Sequence, residues 1–416
     1  MLNKKTFFIV WLLGVMSGFA LMISGNTLNF WLSKENIDIK TIGVFALVSL
    51  PYAINFLWAP IFDAKKLPIL HKLFGQRISW IMLIQICLSI NVYFMSKLNP
   101  ADELMPMAIC GLMISFFASA QDTILGALRT EIVHKKQQGE ISGMYVFGYR
   151  IGMLISSSGS IYISQYMQWN FVYELFSIVI IIFPVLLVIF SNSLAPLEES
   201  SSIVDKNSTS ENLFLKIIKP IGSSKYIVLI LIFLILYRLP DNFITMMINP
   251  FLLHIGYDEF EISTAGKLFG ITSAMIGGLI AGYVMKTKNI FDSLLLFGSI
   301  HAAAHILFVF QEIYGKDIYL LFIVTGFESV SGGMTMAAYI AFIASLCQGK
   351  FRATQYSFLS SMMGLSRSIF PAISGYIVAS FGWTIFYIFT TLATVPSLIL
   401  ILYLEKIHKQ KSKRTL

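Results

Sequence analysis

Long apolar runs, each about the length of a membrane span, follow one another along this chain, separated by short charged or Gly/Pro/Asn-containing breaks. A hydrocarbon core about 30 Å thick takes about 20 apolar helical residues to cross. Runs of that length cover 7–32, 41–63, 77–96, 104–128, 142–166, 171–192, 225–249, 263–285, 291–312, 317–346, 352–379 and 383–405. They predict an all-α integral membrane protein of twelve transmembrane helices. The first run follows "MLNKK" but is too long for a signal peptide, and no small-residue cleavage site closes it, so it reads as a permanent helix. Between the sixth and seventh runs lies the one long hydrophilic connection, "SNSLAPLEESSSIVDKNSTSENLF", a Ser-rich stretch with the composition of a flexible linker. The chain therefore divides into a six-helix bundle over 1–192, a cytoplasmic linker over 193–224 and a second six-helix bundle with a basic tail over 225–416.

A weak internal repeat supports this division. At an offset of 220 residues, Asn29, Leu32, Asp38 and Ile42 match Asn249, Leu252, Asp258 and Ile262. Two six-helix halves related about the membrane normal are the architecture of the major facilitator fold, whose substrate site lies at the midplane between the halves. The signature loop of that superfamily survives only in worn form, "APIFDAKKLPILHKLFGQR", with Asp63 and Arg77 at its ends.

Composition agrees with a membrane protein: 12% of residues are charged, against about 25% in soluble domains. The net charge of +8 does not indicate nucleic acid, because the basic residues sit in short loops rather than on one folded face with interleaved aromatics. Their distribution sets the topology instead. With the N-terminus inside, 22 of the 30 Lys and Arg fall in cytoplasmic segments and four (Lys34, Lys40, Lys97, Lys316) outside, so both termini are expected in the cytoplasm of a bacterial inner membrane. Cys87, Cys110 and Cys347 all lie in apolar runs without a CxxC pair, and neither a disulfide nor a metal site is expected.

The remaining four cations, Arg150, Arg238, Lys267 and Arg367, lie inside spans with Asp122, Asp241 and Glu328. At roughly 2.5–3.5 kcal/mol each, seven unpaired mid-span charges would cost about 20 kcal/mol. They must line a wet cavity or neutralise one another. Three of the chain's seven arginines are among them, and a guanidinium fork suits bidentate carboxylate binding. Either the ligand carries carboxylates or the arginines hold the cavity acids. Arg238 and Asp241, three residues apart, can pair within one helix. In helix four Gly111, Ser115, Ala118, Asp122, Gly126 and Arg129 form one stripe, and in helix five Ser142, Tyr145, Tyr149, Gly152, Ser156 and Gly159 form another. The small residues of such stripes fit close helix packing. Arg129, with Asp63 and Arg77, is assigned to gating contacts near the cytoplasmic surface. Glu174 reads as interfacial. His301 and His305, four apart, could relay protons or bind a metal, but with no acid or cysteine nearby in sequence they read first as packing residues.

The stretches "NIDIKTIGVFALVSLPYAINFLWAPIFD", "SAQDTI", "GYRIGMLIS", "LYRLPDNF", "FESVSGGM" and "RATQYSFLS" resemble, in the same order from helix one to helix twelve, the AmpG-type muropeptide permeases of the major facilitator superfamily. The resemblance implies a secondary active transporter that imports anhydromuropeptides, cell-wall fragments of disaccharide and short peptide, by alternating access. The proton gradient would be its energy source, with no cofactor and no catalytic residue, and the carrier would work as a monomer in lipid. It places substrate contacts on Gln121, Tyr149, Arg150, Tyr237, Arg238, Lys267, Thr354 and Gln355, to which Asn26 and Arg367 are added as polar positions of the spans. Asp122, Asp241 and Glu328 are the candidate proton carriers, since a carboxyl held away from bulk water binds a proton more readily. A multiply anionic substrate moving into a negative interior calls for more than one proton per cycle. Members of the family commonly continue past helix twelve with two further helices, whereas this sequence stops at "KIHKQKSKRTL". A carrier for another amphipathic anion, such as a siderophore or a coenzyme thioester, is the alternative. No HExxH, GxSxG or P-loop points to an enzyme, and no repeated filter segment points to a channel.

Overall fold

The computed structural model describes residues 4–58, 61–62, 65–131, 138–191, 224–347 and 352–415. The chain divides into two compact units, Met1–Ile37 with Leu47–Ile203, and Asp38–Ala46 with Val204–Leu416. The Ser-rich connection expected over 193–224 lies, but for Ser224, outside the described residues.

In the first unit, α1 runs through Lys4–Met22, a π-helical turn Ile23–Thr27 and Leu28–Lys34. Helix α2 follows as Ile39–Val44, which groups with the second unit, then a 3₁₀ turn Phe45–Ser49 and Leu50–Ala53. Then come α3 (Gln76–Met95), α4 (Leu104–Glu131), α5 (Gln138–Leu154, a π turn Ile155–Gly159, Ser160–Ile163) and α6 (Trp169–Ser191). The second unit holds α7 (Ser224–Ile255), α8 (Glu259–Glu261, a π turn Ile262–Leu268, Phe269–Val284), α9 (Ile290–Tyr314) and α10 (Ile318–Leu346). Helix α11 is Arg352–Ser368 with a 3₁₀ turn Phe370–Ile373, and the next stretch, Ser374–Leu392, is broken at Gly382. There φ is +80°, a conformation that glycine adopts without a Cβ clash. The break ends α11 and starts α12, which continues through Val395–Thr415. Among the described residues nine stretches are long and apolar enough to cross a membrane, and one of them, Phe358–Ile407, is the α11–α12 pair read through.

Most of the expected spans stand, and the exceptions have local causes. The run 41–63 was expected as one helix, but Pro51, at the start of Leu50–Ala53, has no N–H to extend the ladder backwards, and the segment breaks into short α and 3₁₀ pieces. Pro371 similarly marks the 3₁₀ interruption of α11. The segment Asp38–Ala46 belongs with the second unit because backbone meets backbone there: a Cβ on Gly43 would stand 2.9 Å from the Gly375 nitrogen, and one on Gly375 would stand 2.0 Å from the Ile39 carbonyl. The offset repeat has a physical basis. Asp38 caps Ile39–Val44 by accepting from the Lys40 and Thr41 amides, and Asp258 caps α8 in a capping box with Glu261.

Glycine governs the tightest crossing of the first unit. Cβ atoms on Gly14 and Gly18 of α1 would fall 2.1 Å and 1.9 Å from the carbonyl oxygens of Tyr145 and Tyr149. Those on Gly148 and Gly152 of α5 would fall 2.1 Å and 2.3 Å from those of Trp11 and Val15. Helices that close gain dispersion contacts and short carbonyl approaches that lipid cannot supply. In the second unit Gly277 and Gly333 do the same for α8 and α10, at 2.0 Å from the Val330 oxygen and 2.1 Å from the Ala274 oxygen. The small-residue stripe read on helix five is thus a packing surface at Gly152.

Candidate functional site

Two polar clusters emerge, one in each unit. In the first, the π turns of α1 and α5 meet. Thr27 Oγ1 donates to the Ser156 carbonyl at 2.6 Å, and Ser157 Oγ donates to Asn26 Oδ1 at 3.2 Å. A π turn widens the helix and turns side chains out of register, which places Asn26 on this inward seam. Ser24 and Ser115 share a hydrogen bond at 2.7 Å, so the α4 stripe faces α1. Further along that stripe, Arg129 stacks on the Tyr145 ring at 4.5 Å, and Asp122 and Tyr149 lie within electrostatic reach of the same tyrosine. The stripe accordingly turns Asp122 toward α5 rather than lipid.

Gln121, expected as a substrate contact, is tied into the helix packing. It is fully buried, its Oε1 accepts from Gln85 Nε2 at 2.6 Å, and its own Nε2 donates to the Met16 carbonyl at 3.0 Å. Its amide ties α1, α3 and α4 together. Arg150 contrasts with it. Among the described residues its guanidinium has one polar contact, Nη1 donating to the Met153 thioether at 3.9 Å, and its Nε is buried without a partner. A guanidinium opposite a weak sulfur acceptor keeps donor capacity that an anion would satisfy far better.

The second unit gathers charge more densely. Arg238 and Asp241 pair across one turn of α7, with their side chains 12% and 13% exposed. Asp241 Oδ1 also stands 3.5 Å from His301 Nε2 of α9. Glu328 of α10 completes the group: one donor atom from each of Asp241, His301 and Glu328 lies within 4.8 Å of the other two. Glu328 accepts from Ser329 Oγ at 3.0 Å and has Lys267 in its electrostatic neighbourhood. Lys267 is buried in the π turn of α8, and among the described residues it makes no ion pair within 4 Å. The donor types of the trio could hold a cation, but Arg238 already neutralises Asp241 and Lys267 offsets Glu328, so the arrangement suits a proton better than a divalent ion. His301, weighed above as packing or proton relay for want of a nearby acid, does have one beside it in the structure. Its acid arrives from α7, sixty residues away in sequence, and the nearer signal was that Glu328 and Ser331, three apart, share a face of α10.

Other expected residues fall elsewhere. Tyr237 is buried, donates to the Leu294 carbonyl at 3.0 Å and stacks on Tyr339, so it braces α7, α9 and α10 against one another. Gln355 is fully buried in α11, and Arg367 lies near that helix's end. The side chain of Thr354 and the whole of Asp63 lie outside the described residues. Arg77 stands partly buried at the start of α3, and Glu174 pairs with Lys97 at 3.4 Å at the partly exposed opposite end of that unit.

The sequence profile described as Major Facilitator Superfamily matches residues 10–327 and 293–416. A Rickettsia bellii protein named as an AmpG transporter is 57% identical over 405 residues, covering 97% of this chain and 98% of the relative. The anhydromuropeptide permease of Escherichia coli K12 is 32% identical over 396 residues, covering 95% of this chain and 78% of its own. Among solved structures, a D-xylose-proton symporter superposes with a TM-score of 0.74 at 9% identity, covering 95% of this chain and 96% of that one. A nucleoside transporter, in a mutant form, superposes with a TM-score of 0.73 at 14% identity, covering 96% and 99%. At these identities the two structures speak for the fold alone.

Proposed function

Because the chain belongs to the AmpG branch of the major facilitator superfamily, and is a multi-pass transporter and no enzyme, we propose that it imports anhydromuropeptides with protons across a bacterial inner membrane, both termini lying in the cytoplasm. The observation that carries this reading is the contrast between two arginines. Arg238 is engaged by Asp241, whereas Arg150 meets only a thioether among the described residues. A muropeptide brings carboxylates for Arg150, and sugar hydroxyls and amides for Asn26 on α1 and Tyr149 on α5. Lys267 and Arg367 are the further cations assigned to substrate. Asp122, Asp241 and Glu328 remain the carboxyls assigned to proton coupling, and Asp63, Arg77 and Arg129 the gating residues. The name of the Escherichia coli relative supports the substrate class.

The test is uptake of radiolabelled anhydromuropeptide into energised membrane vesicles, with a siderophore or a coenzyme thioester as competitor. Saturable uptake that neither competitor reduces supports the proposal, and transport of a competitor in place of the muropeptide overturns its substrate. A second expectation concerns Arg150→Lys. It keeps the charge but loses the planar fork, and losing one charge-assisted bond of about 1.5–3 kcal/mol lowers uptake at limiting substrate by about 10–100-fold. Wild-type kinetics in that variant would remove Arg150 from the substrate site.

A further inference from the structure

We infer that the transported proton is received in the second unit by His301, on a site shared between its Nε2 and Asp241 Oδ1. This rests on the proton-coupled reading above and names a group within it that carboxylate chemistry alone does not supply.

Hydrogen-bond direction at Ser331 fixes the tautomer of the ring. Ser331 Oγ donates its only proton to the Glu328 carbonyl at 2.8 Å. Its oxygen is then an acceptor toward His301 Nδ1, 2.9 Å away, so Nδ1 carries hydrogen. A neutral imidazole protonated at Nδ1 presents a bare lone pair at Nε2, and among the described residues this nitrogen is buried without a hydrogen-bond partner. It faces the carboxylate oxygen of Asp241 at 3.5 Å. Two lone pairs aimed at each other in a buried site repel, and one proton placed between them turns that repulsion into a charge-assisted bond. The serine thus holds the ring in the tautomer that leaves the vacancy on the Asp241 side.

The surroundings decide what that proton does. On α7, Asp241 gives its other oxygen, Oδ2, to Arg238. An imidazolium at Oδ1 sets a second cation on the same carboxylate and weakens its hold on the guanidinium, leaving Arg238 able to take a substrate anion. On α9 itself His305 lies one turn on, its ring 4.6 Å from that of His301 and fully buried, and two imidazoliums so close would repel. One proton therefore serves the pair. From α10 comes Glu328, from α8 Lys267 behind it, and α12 contributes the buried Tyr387; the part of α12 beside Gly298, around Leu398, carries no ionisable side chain. Gly332 keeps the centre open. A Cβ there would sit 3.4 Å from His301 Cε1, 3.9 Å from Glu328 Oε1 and 4.0 Å from Asp241 Oδ1, so all three border one small space.

The experiment uses the full chain in proteoliposomes. His301→Asn keeps an N–H for Ser331 but cannot ionise. Proton-driven accumulation of labelled anhydromuropeptide is expected to fall at least about tenfold more than exchange across an unenergised membrane, since only the former needs the driving ~2.3 kcal/mol per charge at 100 mV. Equal losses in both, or accumulation at the wild-type level, overturn the inference. ¹⁵N-histidine NMR of the wild-type protein supplies a readout that needs no substrate. A neutral His301 with hydrogen on Nδ1, and loss of that preference in Ser331→Ala, is the expected result; hydrogen on Nε2 in the neutral ring overturns the inference even if the variant fails to fold. If wild-type vesicles carry no anhydromuropeptide at all, the substrate reading falls and the NMR result alone decides the proton site.

Discussion

Arg238→Gln is expected to cost the folded protein about 3–5 kcal/mol, the range for removing one partner of a buried ion pair. Both side chains of the pair are close to nine-tenths buried, and the loss leaves the Asp241 carboxylate among apolar helices with His301 and the acidic Glu328 beside it. The cost arises from the stranded anion more than from the lost attraction. Two consequences distinguish this from generic damage. Arg238→Gln with Asp241→Asn is expected to recover most of the stability, because two neutral amides of matching size strand no charge. Mildly acid conditions are expected to recover part of it in the single variant, because a proton at the His301–Asp241 site cancels the stranded charge. Detergent-solubilised yield and thermal unfolding of the three proteins provide the measurement. A single variant as stable as wild type would mean that water already reaches this pair freely.

Gly18→Ala is expected to affect stability nearly as strongly and by a different mechanism. The added methyl falls 1.9 Å from the Tyr149 carbonyl oxygen, with backbone atoms on both sides of the clash, so no side chain can swing away to relieve it. The helices must separate. Overpacking of this kind costs about 1–3 kcal/mol or more, and here it also moves the turn of α5 that carries Tyr149 and Arg150. Reduced folded yield together with weakened uptake is the expected result. Gly126 is the control: among the described residues nothing lies within 4 Å of its Cβ position, so Gly126→Ala is expected to be tolerated or slightly stabilising through helix propensity. Similar behaviour of the two variants would contradict the close crossing of α1 and α5.

What the sequence disclosed follows from the range over which each signal acts. Span length is a local property of hydrocarbon thickness, so the apolar runs matched the helices closely, including the break between the last two at Gly382. The Arg238–Asp241 pair was legible because three residues place two side chains on one helical face. Long-range partners left no such mark. The partners of Gln121, Gln85 and the Met16 carbonyl, and the Asp241 that α7 brings to His301 could not be read from their sequence neighbours. The π turns that carry Asn26 and Lys267 were also invisible, since a single extra residue per turn changes the register without changing composition. The broken α2 was partly signalled by Pro51, but a continuous apolar run outweighed one proline in the reading of its length.

The account rests on buried charges that move protons and an anion together, and the direct test is an imposed pH gradient, acid outside, across proteoliposomes of the purified protein. The account predicts that labelled anhydromuropeptide accumulates above its external concentration, that protons enter with it, and that an ionophore collapses both. Uptake that stops at equal concentrations, or accumulation that ignores the gradient, would contradict it.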